Sequence, residues 1–272
     1  MMTPKYFIMV LLLLGCNKNE FTSPPITIES EKEKIAFTLR DRYGKLQICT
    51  CTADGKNKTQ LTFEGDNGRP DWSPDGRKIT FNAKRNANDL LVAVMDADGS
   101  NQKLITPGAA PDWSPDGQQI AFTRSDTAGV PQIWVMNSDG TNIRQITQSN
   151  TAKIAPSWSP DGKQMVFILP KNPSSQSDPQ PEIGIMNSDG TNERILTTED
   201  RINIRIETNG DTTICETAFD ANAPAWSPVD SRISFWSGIE NNYRQIWVIN
   251  SDGTGSKQLT EDCGHRNSDD PS

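Results

Sequence analysis

Apolar residues in this chain come in short runs, cut apart by Gly, Pro, Asp and Asn. From residue 33 onward the same order of runs and breaks returns five times. The second complete copy shows it plainly. Pro111-Asp112-Trp113-Ser114 reads as strand A and Pro115-Asp116-Gly117 as a tight turn. Gln119-Ile120-Ala121-Phe122-Thr123 reads as strand B, followed by a loop from Ser125 to Pro131. Gln132-Ile133-Trp134-Val135-Met136 reads as strand C, Ser138-Asp139-Gly140 as a second turn, and Arg144-Gln145-Ile146-Thr147 as strand D. The Asp-Gly pairs predict two-residue hairpin turns, in which both central residues take positive φ. The same reading fits Pro70–Thr106, Pro156–Thr197 and Pro224–Thr260. A shorter copy, Glu33–Thr62, starts at strand B (Lys34-Ile35-Ala36-Phe37) and lacks A.

Strand C is apolar on both faces: Ile133 and Val135 on one, Trp134 and Met136 on the other. Such a strand is covered on both sides. Four-stranded sheets covered on both faces and repeated about every forty residues predict a β-propeller. The expected fold class is therefore all-β, a β-propeller of four-stranded blades with five recognisable repeats, five- or six-bladed. The interval from Trp158 to Trp226 is much longer than those from Trp72 to Trp113 and from Trp113 to Trp158, so an insertion falls at about residues 198–223. Within it Arg201 to Glu207 alternates, Asn209-Gly210 is a strong hairpin signal, and Thr212 to Glu216 returns. This reads as an extra hairpin or the remnant of a degenerate blade. The chain ends at Asp270-Pro271-Ser272, one residue before the Trp of a further Pro-x-Trp-Ser. Two expectations follow: a longer propeller gene cut short, or a five-bladed ring whose last residues lend strand A to the first blade.

The N-terminus follows a different pattern. A short basic start, Met1 to Lys5, precedes an apolar run from Tyr6 to Leu14. That run is well short of the about twenty residues that cross a bilayer and has the form of a secretory signal. Leu13-Leu14-Gly15-Cys16 resembles the bacterial lipoprotein box. The resemblance implies cleavage before Cys16 and acylation of Cys16, with several chains giving a stable anchor. Asn17 is not the Asp that resembles an inner-membrane retention signal, which favours outer-membrane sorting. Residues 1–15 are thus the expected signal peptide, 16–30 a polar tether containing Pro24-Pro25, and 31–272 the propeller.

Trp-Ser-Pro-Asp-Gly, Ile-Ala-Phe, Ile-Trp-Val-Met-Asn-x-Asp-Gly-Thr and the closing Leu-Thr together resemble the WD40-like PD40 repeat of the TolB β-propeller family, over about residues 33–272. The family resemblance implies a propeller scaffold that binds a protein, as TolB binds a peptidoglycan-associated lipoprotein. TolB itself carries an α/β domain before its propeller, through which it meets TolA. Here that place holds the lipid signal and tether. Similar repeats occur in the propellers of prolyl-oligopeptidase-type and tricorn-type proteases.

The formal net charge of -8 is a poor match for nucleic acid. His265 is the only histidine, and it lies in the tail, so a Ser-His-Asp triad has little to build on. The Ser of each Trp-Ser-Pro is periodic and hence structural. Asp96-Ala97-Asp98-Gly99-Ser100-Asn101 faintly resembles a calcium loop, but turn residues at equivalent places in other copies explain it. Cys49-x-Cys51 with Cys263-x-His265 offers four zinc-type ligands. Buried thiols are the better account, because Cys49 and Cys51 stand where another copy has Trp134 and Met136. After Cys16, four thiols can pair in three ways, with Cys215–Cys263 the first choice. No metal, cofactor or catalytic residue is assigned.

Antiparallel connectivity puts the A–B and C–D turns at one end of each blade and the long, varied B–C and D–A loops at the other. Binding residues concentrate on such loops, and aromatic and Arg residues anchor interfaces. The expected partner-binding residues are Arg85, Arg124, Arg205, Trp236, Tyr243 and Arg244. The expected function is a lipid-anchored cell-envelope propeller, in the outer membrane and periplasm or at the cell surface, touching membrane only through its anchor. It would bind an envelope protein, such as a peptidoglycan-associated lipoprotein, or a polysaccharide. The alternatives are a glycan lyase or hydrolase using carboxylates in the channel, and a truncated propeller fragment with no function of its own.

Overall fold

The computed structural model describes residues 34–86, 89–170, 181–197, 205–208, 211–214, 222–239 and 243–260. The signal segment, Cys16, the tether, Cys215, Cys263, His265 and the chain end lie outside them. The described regular structure is all β, in the antiparallel sheets of a β-propeller. The first sheet holds β1 (Lys34–Arg40), β2 (Leu46–Thr52) and β3 (Thr59–Gln60). The second holds β4 (Asp66–Trp72), β5 (Lys78–Lys84), β6 (Leu90–Asp96) and β7 (Lys103–Pro107). The third holds β8 (Ala109–Trp113), β9 (Gln119–Ser125), β10 (Pro131–Asn137) and β11 (Arg144–Gln145). In the fourth are β12 (Ile154–Trp158), β13 (Gln164–Leu169), β14 (Glu182–Asn187) and β15 (Arg194–Ile195). The insertion forms a hairpin of β16 (Arg205–Thr208) and β17 (Asp211–Ile214), with Thr208 opposite Asp211. The pairing brings together the two strands that flank Asn209-Gly210, two residues that lie outside the described ones. The last blade holds β18 (Asn222–Trp226), β19 (Arg232–Ile239), β20 (Tyr243–Asn250) and β21 (Lys257–Gln258). As the sequence predicts, the first sheet has three strands among the described residues and the other four blades have four.

The Asp-Gly turns depart from expectation, because they are not two-residue turns. Gly76 N donates to Ser73 O at 2.8 Å, and Ser73 N to Lys78 O at 2.9 Å. Only the glycine is left-handed: Gly76, Gly117 and Gly162 have φ of 69, 71 and 72°, whereas the Asp before each is not in that region. The reason is chemical. Pro fixes the preceding φ as negative, and the Ser hydroxyl holds the Asp. Ser73 Oγ donates to Asp75 Oδ1 at 2.6 Å and accepts Lys78 N at 2.9 Å. Ser114 with Asp116 and Ser159 with Asp161 repeat the bond at 2.6 and 2.7 Å. The C–D turns are three-residue loops closed by a left-handed glycine: Gly140 N donates to Asn137 O at 2.9 Å, and Asn137 N to Thr141 O at 2.8 Å.

Strand A is kinked in every blade that has one. Its register shifts between Gly68 and Asp71, Ala109 and Asp112, Ile154 and Ser157, and Asn222 and Ala225. A proline sits in each gap, as an edge strand allows, since Pro has no N–H to donate. The residue before it is left-handed at Arg69, Ala110 and Ala155, with φ of 51, 51 and 53°.

The blades fall into two compact units. One runs to Ser125 and includes Trp134–Arg144; the other comprises Asp126–Ile133 and the chain from Gln145. In the first unit, Ile48 and Leu61 of the first copy pack with Trp72, Ile79 and Phe81 of the second. Val92 and Val94 in turn meet Trp113, Ile120 and Phe122 of the third. In the second unit, Val166, Ile183, Ile185 and Leu196 pack with Ile233, Phe235 and Trp247. Each such side chain contributes about 1.5–3 kcal/mol by its burial. Lys153 is also buried there; its Nζ donates to Ser149 Oγ at 2.6 Å and lies 3.4 Å from Glu193 Oε1.

The C–D turns also pack on the preceding blade. A Cβ on Gly190 (φ 90°) would stand 2.6 Å from Ile146 O, whereas one on Gly44 (φ 75°) would meet nothing within 4 Å. Both Ala substitutions carry the left-handed strain of about 1–2 kcal/mol. Gly190→Ala adds overpacking of about 1–3 kcal/mol. Urea unfolding is expected to show a clearly lower midpoint for Gly190→Ala than for Gly44→Ala.

Candidate functional site

The B–C and D–A loops differ from copy to copy in length and composition. In the first unit three loops are stitched together by side chains. They are residues 41–45 between β1 and β2, 61–65 between β3 and β4, and 85–86 after β5. Gln47 Nε2 donates to Asp41 Oδ2 at 3.3 Å and to Gly65 O at 3.1 Å. Asp66 Oδ1 accepts Leu46 N at 2.8 Å, and Asp66 Oδ2 lies 3.7 Å from Lys45 Nζ. Arg85 Nη1 donates to Glu64 O at 3.1 Å and to Asn67 Oδ1 at 2.9 Å. These loops present Tyr43 and Phe63, 73% and 72% exposed, with the Arg42 guanidinium 4.8 Å from the Tyr43 ring centroid. Leu39 and Leu90 flank them, also exposed.

Of the residues expected from sequence, Arg85 is half-buried and serves as a strut between two loops. Arg124 lies over the Trp134 ring at 5.0 Å, while Trp134 Nε1 donates to Arg124 O at 3.0 Å. Trp236 is half-buried on β19, opposite Ile246 and Asn222. Arg205 lies on β16, and Tyr243 and Arg244 open β20, where Tyr243 stands opposite Ile239. Sequence reasoning missed Tyr43 and Phe63. Their signal was present: each is a large aromatic residue inside a turn-rich break, where the pattern calls for polar residues.

The structure also pairs two carboxylates that the sequence hid among the turn aspartates. Asp71 on β4 is buried, and its Oδ2 accepts Trp113 N of β8 at 2.7 Å. Burial pushes the Asp71 carboxyl well above the ordinary range, and Asp112 nearby adds to the rise; the Trp113 and Trp72 N–H groups oppose it. Only these two copies carry Asp before the strand-A Trp; the others have Ser157 and Ala225. The bond joins adjacent edge strands, so Asp71 acts as a clasp.

Cys49 and Cys51 are free and buried, as expected of packed thiols, and burial followed by the neighbouring Cys51 raises the Cys49 pKa. Among the described residues no cluster of three or more His, Cys, Asp or Glu could hold a metal ion. Asp96, Asp98 and their equivalents are engaged within the turns, as at Thr141, whose Oγ1 donates to Asp139 Oδ1 at 2.6 Å. No helix among the described residues is long and apolar enough to cross a membrane.

Residues 107–217 match the family model for the TolB beta propeller domain. No curated protein matches the chain. Among solved structures, the chain is similar to TolB from Acinetobacter baumannii, with 18% identity and a TM-score of 0.64, over 84% of this chain and 52% of that one. The chain thus spans about half the length of that protein. It is likewise similar to putative TolB from Agrobacterium tumefaciens, with 18% identity and a TM-score of 0.62, over 82% and 79% of the two chains. An oligogalacturonate lyase from Vibrio parahaemolyticus follows, with 16% identity and a TM-score of 0.55, over 85% and 63%. These likenesses establish a TolB-like β-propeller fold.

The exposed turn aspartates and the buried Asp71 have opposite pH signatures. The Ser hydroxyls of Ser73, Ser114 and Ser159 hold Asp75, Asp116 and Asp161 below the usual carboxylate range. Their stabilisation is present above the unfolded pKa and is lost as pH falls through the folded value. Asp71 is raised, so its ionisation costs stability as pH climbs above the unfolded value near about 4. Asp71→Asn keeps an oxygen for Trp113 N–H and removes that cost. Thermal unfolding should therefore show the variant gaining on wild type between about pH 4 and pH 7.

Proposed function

We propose that this TolB-like β-propeller is a lipid-anchored protein of the bacterial cell envelope that binds a protein partner through its loop ends. The observation that carries the reading is the stitched loop surface with Tyr43 and Phe63 presented on it. The exposed Tyr43 with Arg42 over its ring, and Phe63, are side chains of the kind that anchor protein interfaces, and Arg124 stacks on the half-buried Trp134. The loops are held by cross-bonds before any partner arrives, which lowers the ordering cost of association. Leu13-Leu14-Gly15-Cys16 and the polar stretch after it support anchoring at Cys16 with reach from a membrane. An envelope protein of the kind that TolB meets, such as a peptidoglycan-associated lipoprotein, is the partner this reading favours.

Two measurements test it. Radiolabelled palmitate should enter the wild-type protein in cells and not Cys16→Ala. Crosslinking and pull-down from membranes should capture a stable protein partner, weakened about tenfold or more by Tyr43→Ala or Arg124→Glu in folded protein. Turnover of cell-wall sugars by the pure protein, with no partner captured, would replace this reading with the enzymatic one.

A further inference from the structure

Around the exposed Tyr43 and Phe63, the acids of the first unit are spent within the surface and the cations are left over. Asp41 Oδ1 accepts Tyr43 N at 2.8 Å and Lys45 N at 2.9 Å. Asp66 is taken up by Leu46 N and Lys45. Asp89 Oδ2 accepts Asn86 Nδ2 at 2.7 Å. Glu64 is exposed, and its carboxylate has no such bond among the described residues. Arg40, Arg42, Lys84 and Arg85 form no ion pair with any described residue. Two of these cations are held in place by carbonyl oxygens: Arg40 Nη1 donates to Gly44 O at 2.8 Å, and Arg85 Nη1 to Glu64 O at 3.1 Å. A carbonyl fixes a guanidinium without cancelling its charge. Lys84 is exposed at the end of β5, opposite Leu90 in the register. Arg42 is exposed and stacks over the Tyr43 ring. A guanidinium so stacked keeps the N–H donors along its edge for a carboxylate.

We infer that this surface takes an acidic, apolar segment of a protein partner, with its apolar side chains against Tyr43 and Phe63 and a carboxylate on Arg42. The inference rests on the proposed function and names the chemistry of the partner's contact. The argument is complementarity of charge and of surface together. Exposed aromatic rings supply area for apolar anchors, and the exposed Leu39 and Leu90 extend it. The planar fork of Arg42 matches a carboxylate with two parallel bonds. Unpaired cations nearby steer an acidic segment in and set its register. The whole chain carries a formal net charge of -8, so this local surplus of unpaired cations departs from the rest of the molecule. The same net charge argues against an anionic membrane surface as the occupant. A broad sheet of negative charge meets the field of the entire protein and the exposed Glu64, whereas a short segment meets only the cations beside it.

The test lets the surface choose. Random peptides displayed on phage are panned on the full-length mature chain. The expected result is enrichment of peptides that combine Asp or Glu with Phe, Leu or Trp. Enrichment of basic or uncharged peptides, or of none, would overturn the inference. A selected peptide should bind Arg42→Glu about tenfold more weakly than wild type. It should also weaken several-fold between about 0.1 M and about 1 M sodium chloride, as the Debye length falls from about 10 Å to about 3 Å. The same peptide with its carboxylates changed to Lys should prefer Arg42→Glu over wild type. A misfolded variant cannot show that reversal, and equal binding of both peptides to both proteins would sink the proposal. Vesicles of phosphatidylglycerol that bind the chain when no acidic peptide does would assign the surface to a membrane instead. A partner captured from membranes that is weakened by Tyr43→Ala, yet indifferent to salt, Arg42→Glu and Lys84→Glu, would leave the proposed function standing and remove this inference alone.

Discussion

A sheet that is apolar on both faces is not stable alone in water, and that constraint organises this protein. Each blade has side chains such as Ile79 and Phe81, or Ile120 and Phe122, that reach burial only against a neighbouring copy. Stacking is therefore the condition for any blade to fold rather than a later step. The strand-A tryptophans make the dependence concrete. Trp72 belongs to the second copy but shares a core with Ile48 and Leu61 of the first.

The turns serve that stacking. A propeller blade needs tight reversals at one end so that the next blade can approach. The Ser-Asp pair and the left-handed glycine supply them with local bonds alone. Glycine is needed at the C–D turn for a second reason, since the turn presses on the preceding blade and leaves no room for a Cβ at Gly190. Uniform turns at one end leave the other end free to vary. There the copies differ in length and composition, and the exposed Tyr43 and Phe63 stand on loops held by Gln47, Asp66 and Arg85.

The departures from periodicity carry most of the functional content. Asp71 and Asp112 replace smaller residues before the tryptophan, and one becomes a buried clasp between edge strands. Arg69 replaces alanine in the left-handed position that Ala110 and Ala155 share, and its side chain is exposed. A residue repeated in every copy answers to the scaffold. One that appears in a single copy has escaped that demand, and its chemistry can be turned outward.

Sequence alone determined the strands, their order within a blade, the number of copies and the inserted hairpin. These depend on period-two patterning and on Gly, Pro, Asp and Asn, which act over a few residues. It also located Cys49 and Cys51 as packed thiols, by position within the repeat. It misjudged the turn type, because Pro and a serine hydroxyl outweigh the dipeptide preference of Asp-Gly. Only the tertiary structure decided that Arg85 is a strut, that Tyr43 and Phe63 are presented, and that Asp71 meets Trp113, forty-two residues away. Those outcomes depend on which strands and loops come to lie side by side, a distance that no local pattern encodes.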